Sequence, residues 1–179
     1  MNLTTLLEDS QRKQQKGIHF IIVSVLIWIA VYLIHSSTLP IDTKNLYTFF
    51  ATAPLMPIAY MISKILKIDF TNKDNPLTNL GLIFSINQLL YLLIAMWVMN
   101  QQPESLVMVL AMIFGAHLLP YSWLYQSLSY RMFAIIIPLI SLLIGLLYIP
   151  RILALMMIGI ELSFVLSLSL ELKKLNKTS

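Results

Sequence analysis

The sequence predicts an all-α fold, a polytopic membrane protein built as a compact six-transmembrane-helix bundle. Of its 179 residues, 58% are hydrophobic and 11% are charged, whereas soluble domains are about one quarter charged. The apolar runs are continuous and about 20 residues long, which is the length that an α-helix needs to cross the hydrocarbon layer. A β-barrel would alternate polar and apolar residues instead. Because only helices and closed barrels satisfy their backbone in lipid, helices are expected.

Six spans are expected in a single integral membrane domain that covers residues 1–179. Their approximate bounds are residues 17–36, 47–66, 80–99, 106–125, 132–149 and 152–170. Residues 1–16 are polar and are expected to form a short cytoplasmic amphipathic segment, with a capping box from Thr5 to Glu8. The first span is too long for a signal peptide and lacks a small-residue cleavage site after it, so we expect it to be retained.

The basic residues predict the orientation of these spans. Ten of the 12 Lys and Arg residues fall on the side of the two termini, and Lys44 and Arg151 fall on the other side. Positive residues favour the cytoplasmic side, so both termini are expected in the cytoplasm. This placement accounts for the net charge of +4, and no nucleic-acid partner is expected.

Two ionisable residues, His117 and Glu161, lie deep within the predicted spans. Such a group costs about 3 kcal/mol near the bilayer centre, so each is a candidate functional residue. At a rise of about 1.5 Å per residue, their depths differ by about 3 Å. Asn87 and Gln88 of the third span fall in the same layer, and Tyr121 follows His117 by one helical turn. We expect these five residues to form a binding or proton-relay site.

Other interpretations of these residues stay open. His117 and Glu161 could be a hydrogen-bonded pair that specifies how the helices assemble, or one of them could face a partner subunit. His19 and His35 lie near the ends of the first span, where a polar group is cheap, and they carry less weight. Small residues repeat every four positions and predict close helix contacts. These repeats are Ala111 with Gly115, Gly81 with Ser85, and Gly159 with Ser163 and Ser167.

Motifs of known catalytic chemistry are missing from the sequence. It has no cysteine, no HExxH pair, no serine elbow and no Gly-rich nucleotide loop. A zinc site needs at least three ligands, which the span residues do not supply. We therefore expect no metal and no cofactor, catalytic residues stay unknown, and a non-enzymatic role is favoured over an enzyme.

Two stretches resemble an uncharacterised family of small bacterial multi-pass membrane proteins, a domain of unknown function. They are Asn87–Tyr91 and Gly115–Tyr125, and the resemblance extends over most of the chain, including the Lys64–Pro76 loop. The family has no assigned activity, so the resemblance implies a location in the bacterial cell membrane and no catalytic residues.

Three functions remain as hypotheses. The first is a transporter-like protein whose polar intramembrane site binds or moves a small solute or protons. The second is a membrane-embedded enzyme that acts on a lipid or isoprenoid substrate. The third is a non-catalytic accessory or assembly subunit. The lipid bilayer is the expected partner in each case, together with a second copy of the chain or a membrane partner subunit.

Overall fold

The computed structural model describes residues 2–177, which are almost entirely helical. Short 3₁₀ turns at Gln15–Gly17 and Pro103–Ser105 precede α2 and α6. No strand occurs within the described residues, which confirms the predicted all-α class. The helices are α1 (Leu3–Lys13), α2 (Ile18–Ser36), α3 (Ile41–Thr52), α4 (Leu55–Ile65), α5 (Leu77–Gln101), α6 (Leu106–Leu124), α7 (Leu128–Leu147) and α8 (Pro150–Lys177).

Six helical segments within residues 2–177 are long and apolar enough to cross a membrane. They comprise α2, the α3–α4 pair, α5, α6, α7 and α8, with the short turns that precede α2 and α6. Their outer surfaces expose large apolar side chains such as Leu93, Trp97 and Leu146, each at least 65% accessible. A soluble protein rarely exposes a contiguous apolar surface of this extent, so the bundle is that of a membrane protein.

The second span starts at Ile41 rather than at residue 47 and is interrupted near Pro54. Its first part carries polar residues, which favoured a loop. Asn45 is nevertheless fully buried and donates a hydrogen bond to the Pro103 carbonyl at 2.8 Å, so this side chain faces protein rather than lipid. Pro54 lacks an amide proton, which separates α3 from α4 at this point.

The N-terminal segment forms α1, and its cap differs from the prediction. The Asn2 side chain accepts from the Thr5 amide at 2.9 Å, so Asn2 is the N-cap and Thr5 already lies within the helix. The predicted capping box is therefore wrong by about one turn. The helix begins earlier than predicted because Asn2 can cap its first free amides, and Asn is at least as good an N-cap residue as Thr.

Residues of small volume set the closest helix contact, between α6 and α7. A Cβ atom on Gly115 would lie 2.5 Å from Pro138, so no larger residue fits at this crossing. The ridge on α8 behaves differently: Gly159 has open space around it and Ser163 is exposed, so the prediction of a close contact is wrong at these two positions. At Ser167 the ridge does meet another helix, because its hydroxyl lies 2.6 Å from that of Ser129 on α7. Four-residue spacing identifies a helical face but not whether that face meets protein or lipid.

Both described ends of the chain lie at one end of the bundle. The Arg12 guanidinium donates to the Leu175 carbonyl at 3.4 Å, and the Lys16 ammonium lies 2.7 Å from the Glu171 carboxylate. We call this the termini end. Six crossings bring the chain back to the side on which it started, and the opposite end carries the α2–α3 and α7–α8 connections.

Candidate functional site

A cavity of about 340 Å³ lies between α2, the α3–α4 pair, α5 and α6. Its inner wall consists of buried residues of α2 and α6, and most of its lining is apolar. Ligand pockets in proteins commonly have about 300–1,000 Å³ and a mainly apolar lining, so the size and character fit a small molecule. The buried wall residues include Ile21, Ser24, Trp28, Val31, Val107 and Leu118.

The outer side of this cavity is formed by residues that also face lipid. Leu82, Ile86 and Leu89 of α5 line it and are 51%, 49% and 61% exposed, and Met56 of α4 is 43% exposed. The most extensive contacts of α4 are with α2, and those of α5 are with α6. Helices α4 and α5 make few contacts with each other, and we call the space between them the mouth of the cavity.

The buried carboxyl of Glu161 lies behind Ser24 at the inner wall. The Ser24 Oγ atom is 2.6 Å from Glu161 Oε2 and 2.7 Å from the Ile21 carbonyl oxygen. The hydroxyl has one proton for two contacts, so Ser24 either shares it between the two oxygen atoms or donates to Ile21 and accepts from the acid form of Glu161. Glu161 Oε1 is fully buried and has no hydrogen-bond partner. Buried polar atoms without partners are rare in native proteins, and this one calls for an explanation.

His117 borders the same cavity from α6. Its Nδ1 atom donates to the Phe114 carbonyl, because a carbonyl oxygen can only accept. In the neutral ring this leaves Nε2 as an acceptor, and no side chain among the described residues hydrogen-bonds to it. Glu161 and His117 likewise share no hydrogen bond in this part of the chain, so the structure does not form the pair that would specify helix assembly.

The other three predicted site residues separate into two groups. Tyr121 lines the cavity, and its hydroxyl donates to the Gly81 carbonyl at 2.9 Å. Gln88 also lines the cavity. Asn87 is exposed on another face of α5 and hydrogen-bonds to Tyr91 at 3.0 Å, away from the cavity. Consecutive helical residues point about 100° apart, so shared depth did not guarantee a shared direction.

Two serines belong to the site although they were not predicted. Ser24 contacts Glu161, and Ser85 lies 2.7 Å from the Tyr121 hydroxyl. A serine in an apolar helix commonly bonds to the carbonyl of the preceding turn, as Ser24 and Ser85 both do here. Because this bond forms within a single helix, a serine in an apolar span does not by itself indicate a functional site. Only their contacts with Glu161 and Tyr121 distinguish Ser24 and Ser85 from the other serines.

A second polar cluster, at the termini end, is fully satisfied. The Glu171 carboxylate receives hydrogen bonds from Lys16, from the Ser127 hydroxyl at 2.7 Å, and from the Ser129 amide and hydroxyl at 2.8 and 2.6 Å. Ser129 lies in the first turn of α7, so Glu171 accepts from a backbone amide that has no partner within the helix. Its negative charge also interacts favourably with the positive end of the helix dipole. With all its acceptors used, this cluster is structural.

Within residues 2–177, no group of three or more His, Asp or Glu residues could hold a metal ion. The polar side chains that line the cavity can form hydrogen bonds and exchange protons. Ser24, His117, Tyr121 and Gln88 provide the polar groups at its wall, and Glu161 stands one hydrogen bond behind them.

The sequence profile of one protein family, described as a family of unknown function (DUF7010), matches residues 3–171. This match confirms the resemblance to an uncharacterised family. No curated protein and no solved structure matches the chain.

Proposed function

Because the chain belongs to this family of unknown function, we propose a function from the cavity: it binds a small amphipathic molecule that enters from the bilayer. The observation that carries the proposal is the mouth between α4 and α5. Leu82, Ile86 and Leu89 line the cavity and are also exposed to lipid, so a molecule dissolved in the bilayer reaches the cavity without crossing water.

The inner wall supplies the chemistry for the polar group of this ligand. The apolar part would lie against Trp28, Val31 and the leucines of α5. Its polar group would face His117, whose Nε2 atom accepts a hydrogen bond, and Ser24, which connects to Glu161. A ligand that carries a hydroxyl or protonated amine matches this set. In the low dielectric of the site, each such bond discriminates strongly against ligands that lack the donor.

Binding also gives Glu161 a place in the function. Its partnerless Oε1 atom and its contact with Ser24 fit a carboxyl that exchanges a proton when a ligand changes the hydrogen bonds of Ser24. The proposal therefore keeps His117, Glu161, Gln88 and Tyr121 as binding or relay residues, and it omits Asn87. By the positive-inside bias, the termini end would face the cytoplasm of a bacterial cell.

An enzyme that acts on a lipid or isoprenoid is the second candidate, because the same mouth would admit such a substrate. We favour binding because His117 and Glu161 are not hydrogen-bonded to each other within the described residues. A general acid–base couple has to reach the same reacting group. Turnover of a lipid by the purified protein would reverse this preference.

The test uses Trp28, which lines the cavity, as its reporter. A variant with Trp97→Phe and Trp123→Phe keeps Trp28 alone, and it is reconstituted in lipid nanodiscs. Titration with a bromine-labelled alkanol, a bilayer-soluble quencher, should give saturable quenching of Trp28 fluorescence. The matched control keeps Trp97 alone, which is 65% exposed and does not line the cavity; its quenching should follow the membrane concentration of the alkanol without saturation.

Two further variants locate the polar group. His117→Leu should weaken the saturable binding about fivefold or more, because one buried hydrogen bond to the ligand is worth about 1 kcal/mol or more. Asn87→Leu also replaces a polar side chain by leucine, but outside the cavity, and it should leave binding unchanged. If Trp28 and Trp97 show the same unsaturated quenching, the cavity does not bind the amphiphile and the proposal fails.

A further inference from the structure

A polar depression of about 420 Å³ lies at the end of the bundle opposite the termini. Four side chains with titratable groups line it, and each comes from a different element. His35 lies in the last turn of α2, Lys44 lies in α3, Glu104 lies in the turn before α6, and Arg151 lies in the first turn of α8. This depression is separate from the intramembrane cavity.

The basic side chains of this end converge on the depression. Lys44 and Arg151 are the only Lys or Arg residues at this end, and both line it. Neither forms an ion pair with a carboxylate among the described residues, although Glu104 lines the same depression. Two unneutralised cations around one concave site repel each other, and a bound anion would relieve that repulsion. Because α8 begins at Pro150 beside them, the partial positive charge at the start of this helix adds to that of the two side chains.

We propose that this depression binds an anionic group, a carboxylate or a phosphate, between Lys44 and Arg151. Glu104 reduces the local charge of the two cations to a net +1, so the site favours a singly charged anion. Arg151 offers the paired donors that match carboxylate and phosphate oxygens, and Lys44 offers a flexible single charge. The anion comes either from solution or from the head group of an anionic lipid.

His35 connects this depression to the intramembrane cavity. Its ring is 7% exposed and lines the depression, and its Nε2 atom lies 3.1 Å from Thr48 Oγ1. The Thr48 hydroxyl donates to the Lys44 carbonyl at 2.9 Å, so Nε2 donates to Thr48 and Nδ1 is an acceptor in the neutral ring. Thr48 also lines the intramembrane cavity. One hydrogen bond therefore separates the anion site from the cavity.

The binding test uses the full chain in nanodiscs made only of phosphatidylcholine, titrated with inorganic phosphate by calorimetry. A second arm uses nanodiscs that also contain phosphatidylglycerol, and native mass spectrometry counts the phosphatidylglycerol that each released protein retains. Saturable phosphate binding assigns the site to a free anion. Retained phosphatidylglycerol without phosphate binding assigns it to a lipid head group.

Charge variants locate the binding. Lys44→Gln with Arg151→Gln should weaken binding in the responding arm at least tenfold, and Glu104→Gln should strengthen it. The control, Lys73→Gln with Lys173→Gln, removes the same charge at the termini end and should leave binding unchanged. The proposal is overturned if neither arm shows binding, or if both double variants weaken it equally. The alkanol experiment is independent of this outcome, because it does not involve the basic residues.

Discussion

The Lys16 ammonium lies 2.7 Å from Oε2 of Glu171, a residue 155 positions later in the chain. Lys16 is 5% exposed, and it points inward because Gln15, Lys16 and Gly17 all have positive φ angles of 45°, 49° and 67°. The N-terminal turn, the start of α7 and the end of α8 meet at this ion pair. The contrast with Glu161, which keeps one oxygen without a partner, separates a structural carboxylate from a functional candidate.

Glu171→Ala should destabilise the folded bundle by about 3 kcal/mol, because it leaves the buried Lys16 charge without its partner. It also removes the acceptor of the Ser129 amide in the first turn of α7. The free energy of unfolding, measured by denaturant titration in mixed micelles, gives the effect. Glu104→Ala removes an exposed carboxylate that forms no ion pair within the described residues and should change stability by less than about 0.5 kcal/mol. Equal effects of both variants would contradict the structural role.

The sequence predicted the all-α class and the six candidate spans because lipid imposes one strong requirement, a long apolar run for each crossing. It placed His117, Tyr121 and Gln88 at one level along their helices because the axial rise of a helix is fixed, and these three residues line one cavity. It did not predict the direction of Asn87, because rotation about the axis depends on which neighbour each helix packs against. Direction is a tertiary property, and no single helix encodes it.

Lys16 and Glu171 were missed as a pair for a related reason. Both lie near the ends of spans, where charged residues are expected at the membrane surface and serve to set orientation. Their contact depends on three consecutive residues with positive φ, a backbone conformation that most residues avoid and that only Gly17 makes easy. A glycine next to charged residues suggests a turn, but it does not identify the partner of the side chain that the turn redirects.

Gly17→Ala and Gly159→Ala should have opposite effects on stability. Gly17 has a φ of +67°, and an added Cβ would lie 3.1 Å from the Tyr125 ring and from the Tyr130 hydroxyl, so alanine there should cost about 1 kcal/mol or more. Gly159 lies inside α8 with open space around it, so alanine there should stabilise the helix by up to about 1 kcal/mol. Thermal unfolding of the two variants in the same detergent compares them. A loss of stability at Gly159 would show that a partner covers this face.

Acid should release α1 from the α4–α5 loop through Asp9. Burial, the largest single influence, would raise the pKa of Asp9, but hydrogen bonds from Asn72, Asn75 and Lys13 together lower it below 3.8. A lowered folded-state pKa means that the contribution of Asp9 to stability is complete above the unfolded pKa of about 3.9 and is lost as the pH falls through the folded value. Hydrogen exchange of α1 measured across this range should show the loss.

Asp9→Asn should remove that acid dependence and leave α1 less protected at neutral pH, because Asn carries no negative charge to pair with Lys13. Asp42→Asn, on an exposed residue at the opposite end, should leave the exchange profile of α1 unchanged. An acid transition that persists in Asp9→Asn would assign it to another group.

The Ser24–Glu161 contact should behave as a coupled pair. Ser24→Ala removes the one hydrogen bond of a fully buried carboxyl and should cost about 1–3 kcal/mol of unfolding free energy. Glu161→Leu replaces the carboxyl by an apolar side chain, so adding Ser24→Ala to it should cost much less. A double-mutant cycle in mixed micelles measures this difference, and a coupling energy of at least about 0.5 kcal/mol is expected for residues in contact. Additive effects would mean that Ser24 does not stabilise Glu161, and the relay through Ser24 to the cavity would then lose its basis.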